Sequence, residues 1–232
     1  MTTITDPGTG LPIGAPVDSS PASRPQRSIM EGRYVMLAPL DARAHADALW
    51  EQVGGPENER LWLYLWEAPF ADRSAFYADL ERKAASEDPL YFAILDKHSG
   101  QPRGYAAFLR IEPKHRCIEV GSILFAPALQ RTRGATEAMY LMARSVFDDL
   151  GYRRYEWKCN ALNQPSRRAA RRLGFTFEGI FRSHMIIKGR NRDTAWFSMI
   201  DAEWPARKMA FERWLQPSNF DAEGQQRSTL SL

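Results

Sequence analysis

The residues best suited to chemistry lie in two turns, each of which follows an apolar strand and opens a helix. The first turn, residues 130–136, has the sequence QRTRGAT. Free backbone N–H groups at a helix N-terminus bind anions such as a pyrophosphate, and Gly134 would let such a ligand approach the backbone closely. Arg131 and Arg133 add positive charge, although an ordinary loop with solvated arginines has the same composition. This turn is therefore one candidate anion site.

The second turn contains Asn163 and Ser166 in the sequence NQPS, followed by a short helix and by Gly174 and Phe175. Asn is a favoured helix N-cap, and Pro165 fits the first helical turn. Asn163 and Ser166 could therefore serve only as a helix cap. The alternative is that the Asn163 amide and the Ser166 hydroxyl contact a ligand between two neighbouring strands.

The elements that would position these turns follow from hydrophobic periodicity. Strands are predicted at 33–40, 90–95, 104–111, 117–125 and 155–159, with a hairpin at 175–188 and 194–200 around a turn at 189–193. Helices are predicted after Asp41 and at 71–86, 132–150, 164–173 and 201–215. The aromatic segment at 61–66 (LWLYLW) fits either a core element or one wall of a substrate pocket, and both can hold at once.

The chain divides into three predicted parts. Residues 1–27 are rich in proline and glycine and lack aromatic residues, so we expect a disordered N-terminal arm. Residues 28–215 form a single domain, and residues 216–232 form a flexible tail. The arm and the edge strands offer surface for a possible homodimer.

Composition limits the class of protein. The chain is 44% apolar and can bury a core, and its net charge of +3 does not require a nucleic-acid partner. The arginines are nevertheless clustered at 131–133 and 167–172, so an RNA-binding helix stays a minor alternative. Cys117 and Cys159 have neither disulfide nor metal-ligand spacing, and no metal site is expected. With no signal peptide and no membrane-length apolar run, we expect a soluble cytoplasmic protein without a membrane partner.

Taken together, the motifs resemble the GCN5-related N-acetyltransferase (GNAT) superfamily and, within it, the RimJ/RimL-type acetyltransferases. The acyl-CoA turn of that family is matched by Arg131-x-x-Gly134-x-Thr136, where Thr136 replaces the usual small residue. Residues 135–138 (ATEA) match the RimJ/RimL branch. Its second motif is matched by Asn163-x-x-Ser166-Arg167, with Gly174-Phe175 and Glu178-Gly179 following. The resemblance covers about residues 30 to 205.

The resemblance implies an α/β (α+β) fold with a mixed, mostly antiparallel sheet that splays open and is flanked by helices. It also implies a cofactor, acetyl-CoA or another acyl-CoA such as succinyl-CoA. Its pantetheine arm would lie along Ser122, Ile123, Leu124 and Phe125. Its pyrophosphate would rest on Arg131, Thr132, Arg133, Gly134, Ala135 and Thr136. Asn163 and Ser166 would lie near the thiol. The arginines of 167–172, Arg167 among them, either form a solvated helix face or supply one or two contacts to the 3′-phosphate.

The implied reaction is direct N-acyl transfer to a primary amine of a protein N-terminus or small molecule, without an acyl-enzyme. Many family members use a tyrosine four residues before Gly-Phe as thiolate donor, and Ala170 stands there, so Ser166 is the candidate instead. Glu119 is the first candidate for the base, unless it is paired across the sheet with a lysine or arginine. His184 is the second, although a lone strand histidine is more often structural. A non-catalytic acyl-CoA-binding regulatory module is the alternative of another class.

Overall fold

The computed structural model describes residues 3–67 and 69–232 and shows, within them, a two-stranded sheet and an eight-stranded sheet with helices on both faces. The strands are β1 Thr3–Thr5, β2 Pro12–Gly14, β3 Met30–Glu31, β4 Val35–Pro39, β5 Leu90–Asp96, β6 Pro102–Glu112, β7 Cys117–Phe125, β8 Arg154–Asn160, β9 Thr176–Ile187 and β10 Arg190–Ile200. The helices are α1 Ala42–Val53, α2 Glu59–Trp62, α3 Arg73–Ala85, α4 Arg133–Arg144, α5 Gln164–Arg172 and α6 Trp204–Trp214.

The large sheet has the order β3-β4-β5-β6-β7-β8-β10-β9 and contains one parallel contact among otherwise antiparallel neighbours. That contact joins β7 to β8, from the pair Cys117–Arg154 to the pair Val120–Trp157. Both strands continue beyond the last pair without pairing to each other. The prediction of a mixed, mostly antiparallel and splayed sheet is therefore confirmed.

Two apolar layers hold the helices against the sheet. On one face, α1 and α3 pack around Leu49, Trp62 and Phe76. On the other face, α4 and α6 pack around Met142 and Phe197. The predicted helix at 132–150 is confirmed as α4, which passes into a π-helical turn at 145–149. Within the described ranges, no helix combines the length and apolarity needed to cross a membrane.

Glu137 fastens α4 to the start of β4. Its side chain is 4% exposed, and its two carboxylate oxygens accept hydrogen bonds from the backbone N–H groups of Arg33, Tyr34 and Val35, at 2.6–2.8 Å. A Cβ atom on Gly32 would lie 2.5 Å from the Glu137 carboxylate, so this turn also requires a glycine. Sequence periodicity gives no sign of this contact, because its partners lie about 100 residues apart.

The N-terminal segment differs from the predicted disordered arm. β1 and β2 pair from Thr3–Gly14 to Thr5–Pro12, and the Asp6 carboxylate accepts hydrogen bonds from the Thr9 backbone and hydroxyl. Further on, Arg116 forms an ion pair with Asp18 at 2.8 Å. The hydrogen bonds of Asp6 and the ion pair of Asp18 hold residues 3–18 in place. Residues 1 and 2 lie outside the described part of the chain.

The C-terminal segment also differs from the predicted flexible tail. Phe220 is buried, with its ring 5.0 Å from that of Trp214, whose indole N–H donates to Gln226 at 3.0 Å. Leu230 and Leu232 pack against the core. This segment is polar on average, but three of its residues, Phe220, Leu230 and Leu232, pack against the core.

The turn between β9 and β10 is shorter than the predicted turn at 189–193, because β10 begins at Arg190.

We expect Glu137→Gln to lower the free energy of unfolding by about 1–3 kcal/mol, because the amide NH₂ would face backbone donors and leave at least one of them unsatisfied. Urea unfolding measures the change, with the exposed Glu81→Gln as the matched control. Equal midpoints for the two variants would show that the Glu137 contacts do not stabilise the fold.

Candidate functional site

The cleft opens where β7 and β8 stop pairing. Beyond Val120, β7 bulges: Gly121 pairs with Ala107 and Leu124 pairs with Tyr105, so two residues of β7 oppose one of β6. Ser122 has a φ of 48°, in the left-handed region. The bulge turns the backbone of residues 122–125, whose β8 edge is unpaired among the described residues. An extended ligand can pair with that edge.

The turn at 130–136 ends beside the cleft. Thr132 is the N-cap of α4: its hydroxyl accepts a hydrogen bond from the Ala135 N–H at 3.2 Å and donates to the Leu129 carbonyl at 2.7 Å. The N–H groups of Arg133 and Gly134 belong to the first helical turn and have no intrahelical acceptor. The Gln130 side chain donates to the Phe125 carbonyl at 3.0 Å, which connects the turn to β7.

Gly134 is required by packing as well as by any ligand. A Cβ atom at this position would lie 2.9 Å from the Val35 side chain, which is closer than real Cβ contacts come. The absence of a side chain therefore lets the first turn of α4 lie directly on β4. This is a second reason for the glycine, beside the one predicted from phosphate approach.

Thr136 and Arg172 form a contact that sequence reasoning missed. The Thr136 hydroxyl accepts a hydrogen bond from the Arg172 guanidinium at 3.0 Å, and Thr136 itself is buried. Thr136 is the position that departs from the family pattern. Its hydroxyl brings a cation of α5 to the turn, and burial lowers the pKa of Arg172.

The two arginines predicted in the turn have different surroundings. Arg131 is exposed, with a φ of 62°. The Arg133 guanidinium lies 4.3 Å from the ring centre of Tyr34 and 5.5 Å from that of Phe220. The Arg133 side chain therefore contacts Phe220 of the C-terminal segment. Its backbone N–H, in the first turn of α4, is the group that remains available to an anion.

The second turn is confirmed as a helix cap, and it also places a hydroxyl beside the cleft. The Asn163 side chain accepts a hydrogen bond from the Ser166 N–H at 3.1 Å. The Ser166 hydroxyl accepts one from the Trp157 indole at 3.0 Å. Because Trp157 is in the last β7–β8 pair, this contact fixes Ser166 at the point of splay. Arg167 instead donates to the Ala161 carbonyl, at 3.2 Å.

Neither cysteine has the environment of a nucleophile. Burial raises the pKa of Cys159, which neighbours the Ser166 hydroxyl, and burial with the nearby Glu156 raises the pKa of Cys117 to about 12. Both are therefore thiols near neutral pH, and the thiolate is the reactive form. Both are also free of disulfide bonds.

Glu119 lies in a buried ion network on the face of the sheet opposite α4. Its side chain is 4% exposed, and its Oε2 atom contacts Arg110 at 2.6 Å and Lys158 at 3.0 Å. Lys158 also contacts Glu156 at 2.6 Å and lies 3.7 Å from the ring centre of Trp196. The pairing considered from sequence is therefore present, although the carboxylate is buried rather than on the surface.

The Oε1 atom of Glu119 has a different setting from Oε2. It lies 3.4 Å from the position that a Cβ atom on Gly121 would take. Gly121 is the first residue of β7 beyond the last pair with β8, so Oε1 is on the splay side of the carboxylate. One oxygen thus holds cations while the other faces the start of the cleft.

His184 lies on β9, outside this network. Its Nδ1 atom is 3.0 Å from the Thr194 hydroxyl, and its ring packs near Phe181 and Trp196. His184 lines an open cavity of about 660 Å³ together with residues 181–183. The structure therefore brings Glu119 and Ser166 to the splay and places His184 on an adjoining wall.

The aromatic segment is part of the core, as one of its two predicted roles requires. Trp62 is buried in the core, whereas Trp66 is 45% exposed. The Trp62 carbonyl accepts a hydrogen bond from Lys188 at 2.6 Å, so the segment contacts the turn between β9 and β10. Glu67, at its end, forms an ion pair of 2.5 Å with the buried Lys83. The segment is therefore a fixed wall. No group of three or more potential metal ligands occurs in the described residues.

The comparisons with known proteins agree with this geometry. A family model described as the acetyltransferase (GNAT) domain matches residues 35–176. The chain therefore belongs to the GNAT family of N-acetyltransferases. The predictions of the family, of an enzyme and of a GNAT fold are confirmed.

Particular relatives extend this result. A GCN5-related N-acetyltransferase from Brucella melitensis is 52% identical, with a TM-score of 0.90 over 92% of this chain and 96% of that one. A GNAT-family structure from Chromobacterium violaceum is 38% identical, with a TM-score of 0.77 over 86% and 100% of the two chains. YdaF of Bacillus subtilis, named as a candidate ribosomal N-acetyltransferase, is 25% identical over 75% of this chain and 93% of its own.

We expect Gly134→Ala to lower the free energy of unfolding by about 1–3 kcal/mol, because the new methyl group would overpack against Val35. In a Val35→Ala background the same change should cost much less, because the Val35 side-chain atom that the new methyl group would meet is absent. Urea unfolding of the four proteins measures this coupling, and Gly14→Ala, which meets no atom within 4 Å, is the control. Additive effects would contradict the packing argument.

Proposed function

We propose that this enzyme transfers the acetyl group of acetyl-CoA directly to a primary amine, of a protein N-terminus or of a small molecule. Family membership establishes a GNAT acetyltransferase that uses a CoA thioester. The primary-amine acceptor and the roles of individual residues go beyond what family membership establishes. The observation that carries them is the end of β7–β8 pairing at Val120–Trp157, beside a helix N-terminus with free N–H groups.

The proposed position of CoA follows the open edge of β7. The pantetheine amides pair with the backbone of residues 122–125, and the pyrophosphate accepts hydrogen bonds from the N–H groups of Arg133 and Gly134. The α4 dipole favours the negative charge there. Arg131 and Arg172 supply further positive charge from two sides of the turn. The thiol end then points towards Ser166 and Cys159.

The proposed reaction needs no covalent enzyme intermediate. The neutral amine attacks the thioester carbonyl, the oxygen gains negative charge and accepts a hydrogen bond from a β7 backbone N–H, and the C–S bond then breaks. Ser166 donates its hydroxyl hydrogen bond to the leaving thiolate, because its oxygen already accepts from Trp157. The proton of the amine passes to Oε1 of Glu119, directly or through water.

His184 and Asn163 have supporting places in this proposal. His184 is the second candidate for the base, because its Nε2 atom faces away from Thr194, on the wall that an acceptor would pass. Asn163 caps α5 and so positions Ser166. The description of YdaF as a candidate ribosomal N-acetyltransferase favours a protein amine as the acceptor.

The cellular setting is also a proposal. The unpaired Cys117 and Cys159 support a reducing compartment, the cytoplasm. A homodimer stays a prediction, supported by the exposed apolar residues Ile4, Leu11 and Ile13 of the β1–β2 hairpin.

The test measures acetyl-CoA-dependent thiol release with a panel of amino acids, amine metabolites and N-terminal peptides. The wild type should release CoA only when an amine acceptor is present. Ser166→Ala should lower kcat about 100-fold with little change in the KM for acetyl-CoA, because the hydroxyl acts on the leaving group. Glu119→Gln should lower kcat as well, and more strongly at low pH than at high pH.

Two controls separate chemistry from structure. Ser74→Ala changes an exposed serine of α3 and should leave kcat unchanged, whereas Trp157→Phe removes the donor that positions the Ser166 hydroxyl and should lower kcat less than Ser166→Ala does. Unchanged kcat in both Ser166→Ala and Glu119→Gln would remove the assigned roles. CoA binding by the wild type without transfer to any amine would instead favour the non-catalytic binding module, for which the buried Ala170 is the supporting observation.

A further inference from the structure

Arg192 is a buried cation without an acidic partner. It lies on β10, is 8% exposed, and its Nε atom donates no hydrogen bond to any of the described residues. By contrast, Arg110, Arg154 and Lys158, which lie on the same sheet, each form ion pairs with glutamates. Among the described residues, Arg192 takes part in no such pair.

The neighbouring ion network is already balanced without Arg192. Its cations are Arg110, Arg154 and Lys158, and its anions are Glu119, Glu156 and Glu178. Three positive charges therefore meet three negative charges, and the charge of Arg192 is left over. Burial lowers the pKa of Arg192, but a guanidinium stays charged at neutral pH. An uncompensated buried charge is costly, and a ligand anion would remove that cost.

The position of Arg192 is next to the proposed reacting groups. It lies two residues before Thr194, which pairs with Asn160 at the end of β8, and it interacts with the charge of Glu119. Cys159, next to Asn160 on β8, neighbours Ser166. On its other side, the guanidinium lies 5.5 Å from the ring centre of Trp66, on the aromatic wall. Arg192 thus stands between the open end of β8 and that wall.

We propose that Arg192 binds a carboxylate which one of the two substrates carries close to its reacting group, so that the enzyme selects an acidic substrate. This inference rests on the proposed function. The carboxylate belongs either to the amine acceptor or to the far end of the acyl group. A planar guanidinium pairs with a carboxylate through two parallel hydrogen bonds. The Trp66 ring lies beside the Arg192 guanidinium and leaves the edge of the guanidinium for the carboxylate.

The kinetic test compares Arg192→Gln with Arg190→Gln, an exposed arginine on the same strand. Acceptors are offered in pairs, each amino acid against its amide, and donors as acetyl-CoA against succinyl-CoA. Arg192→Gln should lower kcat/KM about tenfold or more for the carboxylate-bearing member of a pair and leave the neutral member nearly unchanged. Arg192→Lys should restore only part of the loss, because it keeps the charge but not the paired hydrogen bonds.

The two arms identify the source of the carboxylate. A loss confined to acidic acceptors assigns it to the amine substrate, and a loss confined to succinyl-CoA assigns it to the acyl donor. An equal loss for acidic and neutral substrates would overturn the inference while the proposed function stands. Absence of acetyl transfer by the wild type would instead count against the proposed function alone.

A binding measurement keeps the inference testable without turnover. In the presence of CoA and at fixed ionic strength, glutarate should raise the Tm of the wild type and of Arg190→Gln, whereas glutaramide should not. Arg192→Gln should show no such rise, and its own unfolding midpoint without ligand should not fall below that of the wild type. Equal glutarate responses in wild type and Arg192→Gln, or a less stable variant, would overturn the proposal.

Discussion

The four residue pairs that join β7 to β8, and their end at Val120–Trp157, are the constraint on which the rest of the site depends. On one face of these pairs, Trp157 packs against Phe175 in the core. On the other face, Lys158 links Glu119 on β7 to Glu156 on β8. The bulge at Ser122 then diverts β7. Buried ion pairs add little net stability, and their established use is to specify one arrangement among several.

Beyond Val120–Trp157, β7 and β8 separate, and each strand leads to a different part of the site. β7 offers an open backbone edge and leads through residues 126–132 into α4, whose first N–H groups lie beyond that edge. β8 leads through Asn163 into α5, which carries Ser166 and returns Arg172 to Thr136 of α4. The two helix N-termini are therefore positioned by the same sheet, and one hydrogen bond joins the C-terminal end of α5 to the first turn of α4. This arrangement is the one on which the proposed binding of acyl-CoA depends.

The sequence predicted the features that depend on local pattern. The stripe of α4, the Asn163 cap and the strand-to-helix turn at 130–136 follow from periodicity and capping preference, and the motif order predicted the family. The features it missed depend on partners distant in the chain. Glu137 appeared only as part of a motif, yet it holds the start of β4. Arg133 was expected at a phosphate, yet its side chain contacts Tyr34.

The same distinction applies to the ends of the chain and to Arg192. Composition described residues 216–232 as loose, because it does not register that Phe220 meets Trp214. Nothing in the local sequence distinguishes Arg192 from Arg190. Only the packing of β10 against β8 and the aromatic wall buries one and exposes the other. Whether a charged side chain is buried depends on tertiary packing, so the sequence alone does not reveal the burial of Arg192.

The most direct measurement of the account is amide hydrogen exchange of the protein with and without CoA. If CoA lies in the splay, exchange should slow in peptides covering residues 121–125 and 131–136. CoA binding that slows exchange elsewhere and leaves these two segments unchanged would contradict the placement of the cofactor between β7 and β8.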